Sequence, residues 1–160
     1  MLPYRRREKN LGSSNNMRQM YIDFLETGDD VLVNCDSDMI FRSDWITKVF
    51  QLLSSTEGVL GLYNSSQHLP LDHIKIGMEK FVRKESLGAA GTVFTREIVQ
   101  NIVENVKPSF KYDWDWSSYL VVRFTNIFTN NVLFGMIAPT HMRRRSWHEK
   151  HYGLHWCSPT

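Results

Sequence analysis

Apolar residues recur along this chain at two periods, and the switches between them divide it into alternating helices and strands. Met17, Met20, Tyr21, Phe24 and Leu25 follow Ser13-Ser14 at spacings of three and four, which predicts an amphipathic helix ending at Gly28. Val31 to Asp38 is a short apolar run, rich in β-branched residues, entered through Gly28-Asp29-Asp30 and ending in two carboxylates, so it reads as a buried strand whose carboxyl end delivers Asp36 and Asp38 to a sheet edge. A second helix, capped by Ser43, carries Trp45, Ile46, Val49, Phe50 and Leu53, and Val59 to Tyr63 reads as the next strand. Residues 64–74 are polar and turn-rich and read as a surface loop, whereas Ile74 to Phe81 fits neither period cleanly. Leu87 to Phe94 is a small-residue turn running into a strand, and Thr95 caps a helix with an Ile98, Val99, Ile102, Val103 and Val106 stripe, ended by Pro108. Trp116 to Phe124 reads as helix and Val132 to Ile137 as strand.

Strands alternating with helices predict a three-layer α/β fold with a mixed sheet. One domain over residues 1–160 is expected, with a basic arm at 1–10 and a basic, His-rich segment at 138–160 that closes over the site. Neither an internal repeat nor a low-complexity segment interrupts the pattern.

Composition narrows the class only a little. A chain of 160 residues, 42% hydrophobic and 22% charged, can bury one good core. Nineteen Lys and Arg against 17 Asp and Glu give a net charge of +2, too small for a global nucleic-acid footprint. The basic character is instead concentrated in Arg5-Arg6-Arg7 and Arg143-Arg144-Arg145, so a small nucleic-acid binder using both runs and the aromatic tail is the least favoured class. Two cysteines, Cys35 and Cys157, stand far apart and indicate no disulfide framework, which fits a reducing, cytoplasmic setting. No apolar stretch approaches the roughly 18 residues of a membrane span, and the first residues lack a signal-peptide core.

Three clusters carry candidate chemistry. If the strand continues through Asp36 and Asp38, the two carboxylates lie on one side of it and repel each other unless a cation sits between them; the bland alternative is a solvated turn. Tyr112-Asp113-Trp114-Asp115-Trp116 places two carboxylates just before a predicted helix, where the macrodipole favours the ionised form suited to a general base. Its tryptophans either form a sugar-stacking surface or belong to the core, with an aspartate as cap. Finally, His141, His148, His151 and His155 surround Arg143, Arg144 and Arg145, a mix able to hold a metal and neutralise a diphosphate, or simply a basic tail.

Taken in order, these pieces resemble the GT-A fold glycosyltransferases, especially inverting family 2-type enzymes and the related Golgi N-acetylglucosaminyltransferases. Asn10-Leu11-Gly12-Ser13-Ser14-Asn15-Asn16 resembles the Asn-x-Gly-then-Asn segment that opens the helix before their Asp-x-Asp strand. Val31 to Trp45 resembles the metal strand and the helix after it. Gly88 to Glu97 looks like the Gly-rich segment ending in Phe-x-Arg-Glu that lines the donor and acceptor pocket. Tyr112 to Trp116 is similar to the acidic motif with the catalytic base, and His148 to His155 matches a terminal His-x4-Gly-x-His pattern.

The resemblance implies a nucleoside-diphosphate sugar donor, a sugar or other hydroxyl acceptor, and Mn²⁺ or Mg²⁺ as cofactor. It assigns Asp38 as the direct metal ligand, Asp36 as a metal or ribose ligand, and His148 as completing the shell. Arg143, Arg144 or Arg145 would screen the diphosphate, and Gly91 would lie in the donor pocket. Asp113 or Asp115 would be the base of a single inverting displacement, with the family 2 pattern favouring Asp113 and the Golgi enzymes Asp115. The strands that normally grip the base and ribose are missing ahead of the first helix, so an N-terminally truncated domain is expected. The alternative is a non-catalytic module acting in carbohydrate binding or as a subunit of an oligomer, since the first helix would leave a sheet edge uncovered.

Overall fold

A computed structural model describes residues 7–36, 39–41, 43–63, 69–76, 78–123, 128–130 and 137–139. In chain order the elements are α1 (Gly12–Leu25), β1 (Val31–Asn34), β2 (Met39–Phe41), α2 (Trp45–Leu53), β3 (Val59–Gly61) and β4 (Pro70–Ile76), then β5 (Glu79–Lys84), β6 (Thr92–Thr95), α3 (Arg96–Asn105), α4 (Tyr112–Arg123), β7 (Phe128–Asn130) and β8 (Ile137–Pro139). Six strands form one sheet in the order β1-β6-β3-β7-β5-β4, and β2 pairs with β8 in a separate two-stranded sheet. The β3–β7 pair is parallel and the other pairs are antiparallel. The expected α/β class with a mixed sheet is therefore present.

Strand alternation sends successive residues to opposite faces, and each face has its own apolar cluster. Leu32, Val59 and Phe94 pack with Tyr21 and Phe24 of α1, Ile98, Val99 and Ile102 of α3, and Tyr112, Trp116 and Leu120 of α4. Their neighbours Val31, Val33, Leu60 and Val93, with Phe81 of β5, pack with Val49, Leu52 and Leu53 of α2. Both faces of β3 are covered, which is why its run reads as continuously apolar.

Two devices set the chain's course around this core. Gly58 enters β3 with a φ of 88°, and a Cβ there would stand 2.5 Å from Thr95 Oγ1, so glycine is required on both counts. Arg96 ends α1: its guanidinium donates to the carbonyl oxygens of Leu25 (3.1 Å), Thr27 (2.6 Å) and Asp29 (2.9 and 2.5 Å), and stands 5.0 Å over the Phe24 ring. The open carbonyls at a helix C-terminus thereby gain a cationic donor. In the Phe94-Thr95-Arg96-Glu97 motif, this arginine is thus a structural clamp on α1.

Several expectations need correction. β1 stops at Asn34, opposite Thr92, because Gly91 turns the chain into β6 with a φ of 67°; Cys35 and Asp36 lie beyond the ladder, so the same-side argument for two carboxylates on one extended strand fails. The supposed loop at 64–74 becomes β4 from Pro70, paired with β5 through cross-strand contacts that a one-strand pattern cannot show. The helix expected from Trp116 begins at Tyr112, putting both aspartates inside its first turn. Asp44 rather than Ser43 takes the N-cap position of α2, without a side-chain cap bond. Two of the five residues of the α2 stripe stay outside, with Ile46 53% and Phe50 60% exposed. Residues 1–6 of the basic arm, 132–136 of the last expected strand, and 140–160 lie outside the described residues. No helix among the described residues is long and apolar enough to cross a membrane.

Trp116 is fully buried where α1, β6 and α4 meet, so Trp116→Ala should cost about 3–5 kcal/mol of unfolding free energy, read from urea midpoints. Lys84 is buried on β5, and desolvation lowers its pKa from 10.5 to about 8. Above pH 8 the unfolded lysine still binds a proton that the folded one has lost, so stability should climb with pH from about 8 towards 10. Above 10 the buried Tyr21 and Tyr112 phenols, both raised, hold protons that the unfolded chain releases, and stability should fall again. Lys84→Met should remove the rise between 8 and 10 and leave the fall.

Candidate functional site

The first turn of α4 is seated by aromatic packing. Trp116 meets Phe94 edge-on (centroids 5.1 Å, 89°), Tyr21 meets Phe94 at 5.9 Å, and Tyr112 lies 6.1 Å from Tyr21. The Trp116 indole N–H points to Met17 Sδ at 3.5 Å, and the Tyr112 backbone N–H to Ser14 Oγ at 3.4 Å, so α4 is registered against α1 as well.

On this base the two aspartates differ. Asp115 Oδ2 accepts from the Ser109 backbone N–H at 3.1 Å, fastening the loop ahead of the helix. Asp113 is half-buried and lies close enough to Tyr21 for its charge to help raise that phenol, after burial and Tyr112. Burial likewise pushes the Tyr112 phenol up to about 12, with Arg18 opposing and Asp115 adding to the rise. The Tyr21 and Tyr112 hydroxyls are buried without a hydrogen-bond partner. Of the two tryptophans, Trp116 is in the core and Trp114 is 46% exposed.

Asp36 follows β1, beside Asn34, whose side-chain amide donates to the Ala89 carbonyl at 3.0 Å. The Gly88–Gly91 turn is closed by Thr92 Oγ1 donating to the Gly88 carbonyl (2.5 Å) and by the Leu62 N–H donating to the Gly91 carbonyl (2.7 Å). On its other side, the Leu87 N–H donates to the buried Ser117 Oγ of α4 at 2.6 Å. The 87–91 segment is thus hydrogen-bonded both to the end of β1 and to the acidic helix. Gly91, expected in a donor pocket, serves here as the turn into β6. Partial burial, with the Asp36 carboxylate, pushes the Cys35 thiol up to about 11, so at neutral pH it is a thiol and no nucleophile.

Asp38, Arg143, Arg144, Arg145 and His148 lie outside the described residues. Among the described residues, no three His, Cys, Asp or Glu side chains gather in a way that would hold a metal ion. The pairing of β2 with β8 sets Met39, which follows the Asp-x-Asp, opposite Pro139, which precedes the arginine run. Sequence reasoning missed the groove between the α1 N-terminus and the 108–110 loop, lined by Ser13, Asn15, Pro108 and Phe110 among others. Its only signal was a Pro-Ser-Phe run just ahead of a helix. Comparison with protein-family models finds no match, and comparison with curated proteins finds none either.

An unpartnered buried hydroxyl is a net cost, so Tyr21→Phe should leave stability unchanged or raise it by about 1 kcal/mol. Asp115→Ala, which strips the Ser109 N–H of its acceptor, should cost about 1 kcal/mol. Urea unfolding of both variants beside the parent checks the pair.

Proposed function

We propose that the chain is a metal-dependent, GT-A-like glycosyltransferase domain, moving a sugar from a nucleoside-diphosphate donor to an acceptor hydroxyl with inversion. The observation that carries this reading is the 87–91 segment, hydrogen-bonded at Ala89 to the strand ahead of Asp36 and at Leu87 to the helix bearing Asp113 and Asp115. Three of the motifs that the resemblance names are thereby tied into one framework. Helices against both faces of a mixed sheet agree with a three-layer arrangement of that kind. The β2–β8 pairing sets Met39, the residue after the Asp-x-Asp, opposite Pro139, which precedes the arginine run in sequence.

Carboxylates and an imidazole suit a hard divalent cation such as Mn²⁺ or Mg²⁺, and Asp36, Asp38 and His148 are the residues that would hold it. Of these, only Asp36 falls among the described residues. When bound, such a cation neutralises charge on a diphosphate leaving group. Asp113 is the better base, because Asp115 is engaged with the Ser109 N–H. Asp113 takes the proton of the acceptor hydroxyl as its oxygen bonds to the anomeric carbon and the carbon–oxygen bond to the diphosphate breaks. Asp115 keeps the loop and first turn in place.

A second reading, a non-catalytic subunit or carbohydrate-binding module, draws on the exposed Ile46 and Phe50 of α2. Transfer or donor hydrolysis assayed with Mn²⁺ separates the two. Asp113→Asn should reduce turnover about 100-fold or more at unchanged nucleotide binding, and Asp36→Ala should weaken Mn²⁺-dependent nucleotide binding. Absence of nucleotide-diphosphate binding by calorimetry, with or without metal, would leave only the second reading.

A further inference from the structure

The groove beside α4 has a volume of about 440 Å³, within the usual range for small-molecule sites. Ser13, Ser14 and Asn15 of α1 form one wall; Pro108, Ser109 and Phe110 form the other. Phe110 is 85% exposed and Trp114, at the start of α4, 46%, so two large aromatic side chains are held out to water near the acidic turn. Leaving a phenylalanine exposed forgoes about 1.5–3 kcal/mol of burial.

The loop that presents Phe110 is fastened at three points. The Ser109 N–H donates to Asp115 (3.1 Å), the Lys111 N–H to Ser109 Oγ (3.0 Å), and the Tyr112 N–H to Ser14 Oγ (3.4 Å). The last of these bonds crosses from one wall of the groove to the other. Lys111 Nζ stands over one face of the Phe110 ring, 5.5 Å from its centre, which leaves the opposite face for a ligand. On the far wall, Asn15 Nδ2 donates to the Leu11 carbonyl, which orients the amide and leaves its oxygen as an acceptor.

An exposed aromatic ring beside neutral hydroxyl and amide groups is the chemistry that recognises a sugar ring: C–H bonds lie on the aromatic face and hydroxyls meet the polar groups. A phosphate would call for cationic side chains in the walls, and among the described residues none lines this groove. An apolar protein partner would call for a continuous apolar wall, and serines and an asparagine interrupt it.

We propose that this groove binds a pyranose unit of a saccharide, with Phe110 as the stacking surface and Ser13 and Asn15 as hydroxyl partners. Naming that saccharide the acceptor rests on the glycosyltransferase reading; saccharide binding itself does not. Asp115 then has a second consequence: its bond to the Ser109 N–H fixes the stacking surface relative to Asp113.

The test uses the whole chain without nucleotide or metal, and saturation-transfer NMR with millimolar methyl β-glucoside, methyl β-galactoside, methyl β-N-acetylglucosaminide, cellobiose and chitobiose. At least one sugar should bind. Phe110→Ala should weaken it about tenfold or more at an unchanged thermal midpoint, and Phe110→Trp should retain it. Failure of all five sugars to bind, or binding indifferent to Phe110→Ala, overturns the proposal. Calorimetry with uridine diphosphate and Mn²⁺ on the same protein reads the transferase proposal separately. Nucleotide binding without saccharide binding sinks only the groove, and saccharide binding without nucleotide binding sinks only the transferase.

Discussion

The edge of the Trp116 indole packed against the Phe94 ring is the contact on which the arrangement of the candidate site depends. Phe94 sits on β6, which pairs with both β1 and β3 and so forms the seam of that half of the sheet. Trp116 lies one turn beyond Asp113, so the tryptophan's burial decides where the acidic turn rests. Tyr21 and Tyr112 extend the same aromatic group to α1. Dispersion and apolar burial thus hold the acidic turn, and hydrogen bonds set its finer position: Leu87 to Ser117 on one side and Tyr112 to Ser14 on the other.

That arrangement leaves polar groups under strain of burial rather than of geometry. The Tyr21 and Tyr112 hydroxyls lie in the apolar layer without partners, and a half-buried carboxylate stands nearby. The two aspartates divide the roles available in such a place. Asp115 accepts from the Ser109 backbone N–H, and Asp113 lies near the Tyr21 phenol.

The 87–91 segment is a turn of small residues fixed from several sides. Its small residues let Ala89 approach Asn34 and let Gly91 take the positive φ that starts β6. Its carbonyls and N–H groups are used by β1, Leu62 and α4, so its conformation is fixed from several directions. Arg96 contributes from the other end of β6 by closing the C-terminus of α1, which holds the turn leading into β1. A residue that a motif reading would place in a ligand pocket is occupied instead with main-chain carbonyls.

By itself the sequence determined the elements whose side-chain period is strong. The α1 and α3 stripes, the β1 and β6 runs and the α/β class were all legible, because amphipathic periodicity is a local consequence of which face must be buried. It also determined that two carboxylates fall at a helix start. The tertiary structure decided what depends on partners distant in the chain. The β4–β5 pairing draws its stability from cross-strand contacts, β1 ends where Gly91 turns its neighbour away, and the exposure of Trp114 against the burial of Trp116 follows from the angle at which α4 meets β6. The groove beside Phe110 belongs to this second group, since its walls come from positions 13–15 and 108–110 and exist only once α1 and α4 are packed together.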